Sequence, residues 1–469
     1  MNKYFTASKE MSHEYCCTVV KLGDVTPIEG SDFLAQTLVE GRTIVVRKDQ
    51  VKTGDVMFYA SNESQLDPDF LHINNLYDDK SKNANPEVKG YFNNAGRVRM
   101  VKLRGVVSMG YLFTLAEIKA YCPKIDMTDK DLDDLVGFDF DEVNGENFIH
   151  AYVPPLPEER KKERGAGKRN ARIAKFNRMI PGEFSFHYDT SQLERNMHRF
   201  TPETNITASI KLHGTSAIFG NVKVKKPRWG GIYERIFNKL PRFLQFTKTG
   251  YDVIYSSRSV IKNQYINKEV TGGYYKSDVW KDYFDILKPY ISKDMTIYGE
   301  IVGYVTGSNT MIQKGYDYGC KPGENALMIY RIVTHDEDGK KCEWDVDDVR
   351  LWTIGLRGIL ETANPELARR IHPIDILYTG TMRNLAPELD ETQHWQENML
   401  AVLKGKTDWG MEKNEPLCRN KVPREGIVVR INNDVVPEAF KLKCLKFLGK
   451  EAEMMDKGEC EDIEMAERY

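Results

Sequence analysis

The stretch "TASIKLHGTSAIFG" (Thr207–Gly220) is where the chain stops reading as ordinary core. Thr207 to Ile210 alternates polar and apolar residues, the pattern of a strand with one buried face. The alternation breaks at Lys211-Leu-His-Gly-Thr-Ser, and an apolar run then resumes. A tight turn accounts for Gly214. It leaves unexplained a lysine at the lip of a buried strand.

Further strand ends carry polar residues that a core does not select. They are Arg258 in "YSSRSV", Glu300 in "IYGEIVG", Glu425 in "REGIVVR", and Lys441 with Lys443 in "FKLKCLKF". Singly, each has an ordinary reading. K-x-x-G recurs by chance in a long chain. A glutamate ends many surface strands, Glu-Gly is a common turn, and two lysines one residue apart share the solvated face of a strand.

In order, they say more. Lys-x-x-Gly, then Gly-Glu, then Glu-Gly-apolar-apolar, then Lys-x-Lys resembles the covalent nucleotidyltransferase superfamily: the ATP- and NAD-dependent polynucleotide ligases and the mRNA capping guanylyltransferases. The resemblance spans Ala208 to Phe447, with most residues between the motifs unmatched. It implies that Lys211 attacks the α-phosphorus of a nucleotide. A free lysine is mostly protonated at neutral pH, so cations nearby, Lys441 and Lys443, are expected to favour the neutral amine and to neutralise phosphate. By the same resemblance Glu300 accepts hydrogen bonds from ribose, and Glu425, with Glu300, holds a divalent ion through hard carboxylate oxygens. Tyr330 in "ALMIYRIV" offers the base an aromatic face, Arg258 is the basic residue after the nucleophile strand, and Gly214 turns the backbone beside the nucleotide.

The superfamily's usual third motif residue is aspartate, and here it is His213. A neutral histidine offers a donor and an acceptor instead of a carboxylate. K-x-H-G-T-S resembles one RNA ligase family with an N-terminal OB module, and "PGEFSFHYDTSQLERN" (Pro181–Asn196) resembles the segment leading into its catalytic domain. The departure supports the family and leaves the metal shell open.

The N-terminal part fits that module. Residues 15–115 read as short strands and turns, including "TIVVRKDQVKTGDVMFYA" (Thr43–Ala60) around Thr53-Gly54-Asp55. In "RVRMVKLRGVVSMGYLFTL" (Arg97–Leu115), Arg97, Arg99, Lys102 and Arg104 alternate with apolar residues, predicting one basic and one apolar face. A small nucleic-acid-binding barrel and a purely structural β-domain both have this pattern. The ligase resemblance favours the barrel. DNA ligases and capping enzymes carry an OB domain after Lys-x-Lys, whereas here only residues 444–469 follow, and such a barrel needs about 100.

The expected fold is therefore α+β. An OB-like β-barrel occupies 1–120 and a basic linker 121–179, including "PPLPEERKKERGAGKRNARIAKFNR" (Pro154–Arg178). A nucleotidyltransferase (ATP-grasp-like ligase) domain of antiparallel sheets with flanking helices occupies 180–450, and an acidic tail 451–469. The interval Asp345–Lys404 reads as helical, broken by Pro365, Pro373 and Pro387.

Composition bounds the remaining classes. The chain has 469 residues, 41% hydrophobic and 29% charged, globular and too long for one ordinary core. A net charge of −2, from 67 basic and 69 acidic residues, excludes a histone-like coat but not a local basic groove. No run reaches the ~18 apolar residues of a membrane span, and "MNKYFTASKEMSHEYCC" is no signal peptide. Eight scattered cysteines with no C-x-x-C point to free thiols in a reducing cytoplasm rather than a zinc site. The resemblance implies an ATP-dependent RNA ligase, monomeric, using Mg2+ or Mn2+, that seals nicks in duplexes with RNA on the 3′-hydroxyl side. The alternatives are a nucleic-acid-binding protein on an inactive ligase scaffold and a GTP-using mRNA guanylyltransferase.

Overall fold

The structure, a computed structural model, describes residues 3–153, 179–186, 190–258, 260–262, 278–336, 339–432 and 438–456. They form two compact units. The first holds residues 3–153 with Glu194–Met197 and 448–456; the second holds His198–Phe447 with the described residues of 179–193.

The first unit is built on a four-stranded sheet in the order Tyr111–Phe113, Val56–Ala60, Cys17–Lys21, Asp139–Phe140, all antiparallel. Its two-residue period is legible in Met57-Phe58-Tyr59-Ala60. Phe58 and Ala60 face one core, with Val19, Phe113, Phe140 and Phe148. Met57 and Tyr59 face another, with Val20, Leu112 and, from the strands Leu34–Val39 and Arg42–Arg47, Ala35, Val39, Ile44 and Val46. A sheet apolar on both faces needs a cover on each.

That requirement corrects the expected linker. Residues 121–153 are not a connector: Ile125, Met127, Leu132, Phe140, Val143, Phe148 and Ile149 form the lid over the Phe58 face. The short helix Asp129–Asp133, capped by Thr128 and Asp131, lies in this segment, as do the strands Asp139–Phe140 and Ile149–Ala151. Each buried aromatic or aliphatic side chain contributes about 1.5–3 kcal/mol. The basic run 154–178 lies outside the described residues.

The predicted basic face of Arg97–Leu115 is also corrected in part. Arg97 is 1% exposed and pairs with Asp456 at 2.9 Å and Glu63 at 3.6 Å. Arg99 lies 3.7 Å from the same aspartate. A buried guanidinium needs such partners, so two of the four expected bases are consumed inside the unit. Lys102 and Arg104 remain exposed.

The second unit contains the strands β1 (Ser191–Gln192), β2 (Asn205–Lys211), β3 (Thr215–Pro227), β4 (Thr247–Ser256), β5 (Met295–Gly303), β6 (Asn325–His335), β7 (Lys341–Glu343), β8 (Ile371–Pro373), β9 (Ile376–Thr381), β10 (Gly426–Ile431) and β11 (Glu438–Lys443). One sheet runs β1-β11-β10-β2-β9 and the other β4-β3-β5-β6-β7, with β8 beside β6. Pairing is antiparallel except for β1 with β11 and β6 with β8. The helices α1 (Lys281–Leu287) and α2 (Val346–Ala363) cover the second sheet. Tyr283 and Leu287, with Val349, Leu356 and Leu360, pack there on Phe219, Ile297, Ile301 and Ile329. Asp345–Lys404 is not uniformly helical. The β-branched and aromatic residues of Ile371–Thr381 pair as β8 and β9 instead, because sheet edges were available to them. No helix of the described residues is long and apolar enough to cross a membrane.

Candidate functional site

The site follows from register. Lys211, the last residue of β2, pairs with Gly426 at the start of β10, and Gly426 pairs with Lys443 at the end of β11. Residues in one such row project to one face, so Lys211 and Lys443 flank a glycine. One row back stand Ser209, Val428 and Lys441. Gly426 has φ 153°, and a Cβ there would lie 2.1 Å from the Leu442 carbonyl oxygen. Only glycine permits that approach.

Glu425, immediately before this row, is 4% exposed. Its Oε1 lies 2.8 Å from Lys211 Nζ and 3.9 Å from Lys443 Nζ. Its Oε2 lies 3.9 Å from His213 Nδ1, is buried, and makes no hydrogen bond among the described residues. Burial works to raise the Glu425 carboxyl, but the charges of Lys211, His213 and Lys443 outweigh it and hold it below the usual range. Beside the cations Lys441 and Lys443 expected near Lys211, the charged group it meets at 2.8 Å is the Glu425 carboxylate.

Glu300 comes from β5 on the opposing sheet. Its Oε1 accepts a hydrogen bond from the Gly214 N–H at 3.1 Å. Burial pushes its carboxyl up to about 7; Lys211 opposes the rise, Glu425 adds to it, and the Gly214 N–H and Arg258 oppose it. The reason for glycine at 214 differs from the turn expected. A Cβ there would sit 2.4 Å from the Ile301 carbonyl oxygen and 2.9 Å from Glu300 Cγ, so the residue is set by contact with β5.

His213 is held by its surroundings. Its N–H donates to the Tyr318 hydroxyl at 2.8 Å, and its ring meets Tyr316 and Phe447 edge-on at 4.9 and 5.0 Å. Gln313 Nε2 donates to the Gly214 carbonyl at 2.7 Å. Tyr330 is the extra residue of a β-bulge: Tyr298 pairs with Arg331 and Gly299 with Ile329, which skips it. Bulges re-aim side chains beside sites. Tyr330 packs against the cluster of Ile218, Tyr298 and Val333; burial, then the Glu300 charge, raises its phenol, and Arg258 acts on it as on Glu300.

The structure thus brings together Lys211, His213, Gly214, Glu300, Glu425 and Lys443, with Tyr330 and Arg258 bearing on Glu300. Lys441 shares their face one row behind. Sequence reading missed Gln313, Tyr316 and Tyr318, which carry no motif. It also missed Glu343, whose Oε1 accepts from Arg331 at 2.7 Å and Arg430 at 2.6 Å and so joins the two sheets behind Tyr330. Burial lowers Arg430 to about 10 despite Glu343. Among the described residues no group of three or more His, Cys, Asp or Glu side chains could hold a metal ion. A divalent ion would find carboxylate oxygen at Glu425 and Glu300, and the unbonded Oε2 of Glu425 suits it.

These units define a class of fold: an OB module followed by a ligase-type nucleotidyltransferase fold. A sequence profile described as an OB-fold domain matches residues 16–115. No curated protein matches the chain. Among solved structures, the chain shares its fold with the RNA ligase of Naegleria gruberi. A variant of that enzyme with AMP and manganese aligns at TM-score 0.52 and 15% identity, covering 92% of this chain and 98% of that one. A second variant, with ATP and manganese, aligns at 0.51 and 16% over 92% and 98%. The enzyme with pyrophosphate aligns at 0.50 and 15% over 94% and 100%.

Proposed function

We propose that this protein is an ATP-dependent RNA ligase whose nucleophile is Lys211. One observation carries the reading: the row Lys211–Gly426–Lys443 converges on buried Glu425 while Gly214 is tied to Glu300 from the facing sheet. A core does not gather two lysines and two carboxylates without a use for them.

In this reading ATP enters between the sheets with its base toward Tyr330 and its ribose toward Glu300. Lys211 leaves Glu425 and gives its proton to solvent water, and the neutral amine attacks the α-phosphorus. The P–N bond forms as the bond to pyrophosphate breaks. Lys443 and Arg258 offset the phosphate charge, and Lys441 stands where the departing pyrophosphate passes. Glu425 with Glu300 would hold Mg2+ or Mn2+, which would supply further charge neutralisation. AMP then passes to a 5′-phosphate end, and a 3′-hydroxyl attacks that end to release AMP and close the strand. The substrate favoured is a nicked duplex with RNA on the 3′-hydroxyl side, gripped by its phosphates and hence salt-sensitive.

The test is incubation with α-labelled ATP or GTP and magnesium after pyrophosphate treatment, with Lys211→Ala beside the wild type. Label from ATP that survives denaturation and vanishes in the variant supports the reading. Label from GTP transfers the protein to the guanylyltransferases. No label from either leaves a binding protein on a disused scaffold.

A further inference from the structure

The hairpin β3–β4 reaches far from the site. β3 begins at Thr215, beside Gly214, and runs 13 residues to Pro227, a path of roughly 40 Å at about 3.3 Å per residue. Its partner is in register from Pro227–Thr247 back to Ile218–Ser256. Between the strands lies a folded tip. Trp229 meets Tyr233 at 5.0 Å and Phe246 at 5.7 Å, and Tyr233 meets Phe237 at 5.6 Å. The Tyr233 hydroxyl donates to the Leu244 carbonyl and accepts from the Phe246 N–H, both at 2.7 Å. The tip is a built platform.

Its sequence is unlike the rest of a chain with net charge −2. From Lys225 to Lys248 there are seven bases (Lys225, Lys226, Arg228, Arg235, Lys239, Arg242, Lys248) against one acid, Glu234. Trp229 is 51%, Phe243 76% and Phe246 47% exposed. Three exposed rings grouped on one hairpin tip point to an interaction surface, and the charge selects a polyanion. Rings to stack on, interleaved with cations, are what unpaired bases and their phosphates need.

We propose that the β3–β4 tip is a docking platform for an unpaired stretch of the substrate strand, some tens of ångströms from the break. Bases stack on Phe243 and Trp229 while Lys225, Arg228, Arg235 and Lys239 meet phosphates. The inference rests on the ligase reading and names a feature of its substrate: a single-stranded flank long enough to reach the tip. A lipid surface also attracts aromatic and basic residues, so the test includes it.

The experiment measures binding of the full chain to a nicked RNA duplex with and without an unpaired extension of about 16 nucleotides, across a salt series. The variants are Lys225→Gln/Arg228→Gln/Arg235→Gln/Lys239→Gln and Phe243→Ala, both at exposed positions. The extension is expected to tighten wild-type binding about tenfold or more, and each variant to lose most of that gain. In the charge variant the slope of log affinity against log salt should fall by about 3, at roughly 0.7 per phosphate contact. Flush duplex should bind all three proteins alike. An extension without effect on the wild type, or a gain that survives in both variants, overturns the proposal. So does tip-dependent sedimentation with phosphatidylserine vesicles in the absence of an RNA gain. Lys211 labelling of the same preparations separates the two failures: label without an extension gain sinks the platform alone, and no label sinks the ligase reading.

Discussion

Lys211 and Glu425 are ion-paired, Nζ to Oε1 at 2.8 Å, across the ends of two neighbouring strands. The carboxylate is buried and also draws Lys443 and His213 within 3.9 Å. It therefore fixes where the amine waits. Glu425→Gln preserves shape and removes the charge. Misplacing a reacting group by about 1 Å costs on the order of 10²-fold, so labelling from ATP should fall at least that far while the far-ultraviolet spectrum is unchanged. Labelling at the wild-type rate would show that Glu425 does not position Lys211.

Gly214→Ala puts a methyl group 2.4 Å from the Ile301 carbonyl oxygen. Either β5 moves or the Lys211–Gly214 segment does, and both break the hydrogen bond to Glu300. Overpacking of this kind costs about 1–3 kcal/mol. The expected result is a lower melting temperature together with lost Lys211 labelling. A variant as stable and as active as the wild type would refute the packing argument.

The residues legible in the sequence were those whose chemistry conflicts with their place. Lys211 ends a buried strand, Glu300 follows a glycine and Glu425 precedes one; each is ordinary singly, and their order along the chain made them stand out. Residues that satisfy each other stayed silent. Arg331 and Arg430 carry no motif, and only the fold brings both to Glu343, on another strand. Arg97 read as part of a basic face because its partner Asp456 is hundreds of positions away. The lid at 121–153 was lost for the same reason: its apolar residues are spaced for an unseen sheet face. Periodicity reports what a segment buries but not what it is buried against.

Glu343 yields a stability prediction. Its carboxylate serves two buried guanidiniums from different sheets, and removing one partner of a buried ionic group leaves charge uncompensated, at about 3–5 kcal/mol. Glu343→Gln should lower the denaturant midpoint of the second unit markedly. Glu203→Gln, at an exposed pair with Arg383, should change it little, since such pairs contribute about 0–1 kcal/mol. Equal effects in the two variants would remove Glu343 from the framework.

Glu300 couples the site to pH. Burial, reinforced by Glu425, raises its carboxyl from 4.5 in the unfolded chain to about 7 in the fold. Between those values the native state holds a proton that the unfolded state has released, so stability falls as pH rises. The contribution is fully present below 4.5 and gone above about 7, a difference on the order of 3 kcal/mol at about 1.4 kcal/mol per unit. Glu300→Gln is neutral throughout and its amide oxygen still accepts from the Gly214 N–H. The melting temperature of Glu300→Gln minus that of the wild type should therefore grow from pH 5 to pH 8, by about 2 °C or more per kcal/mol. A difference that stays constant across that range would mean Glu300 is ionised at pH 5. The same variant should lose labelling at every pH, because the stability gained comes from removing the carboxylate assigned to the ribose and the metal.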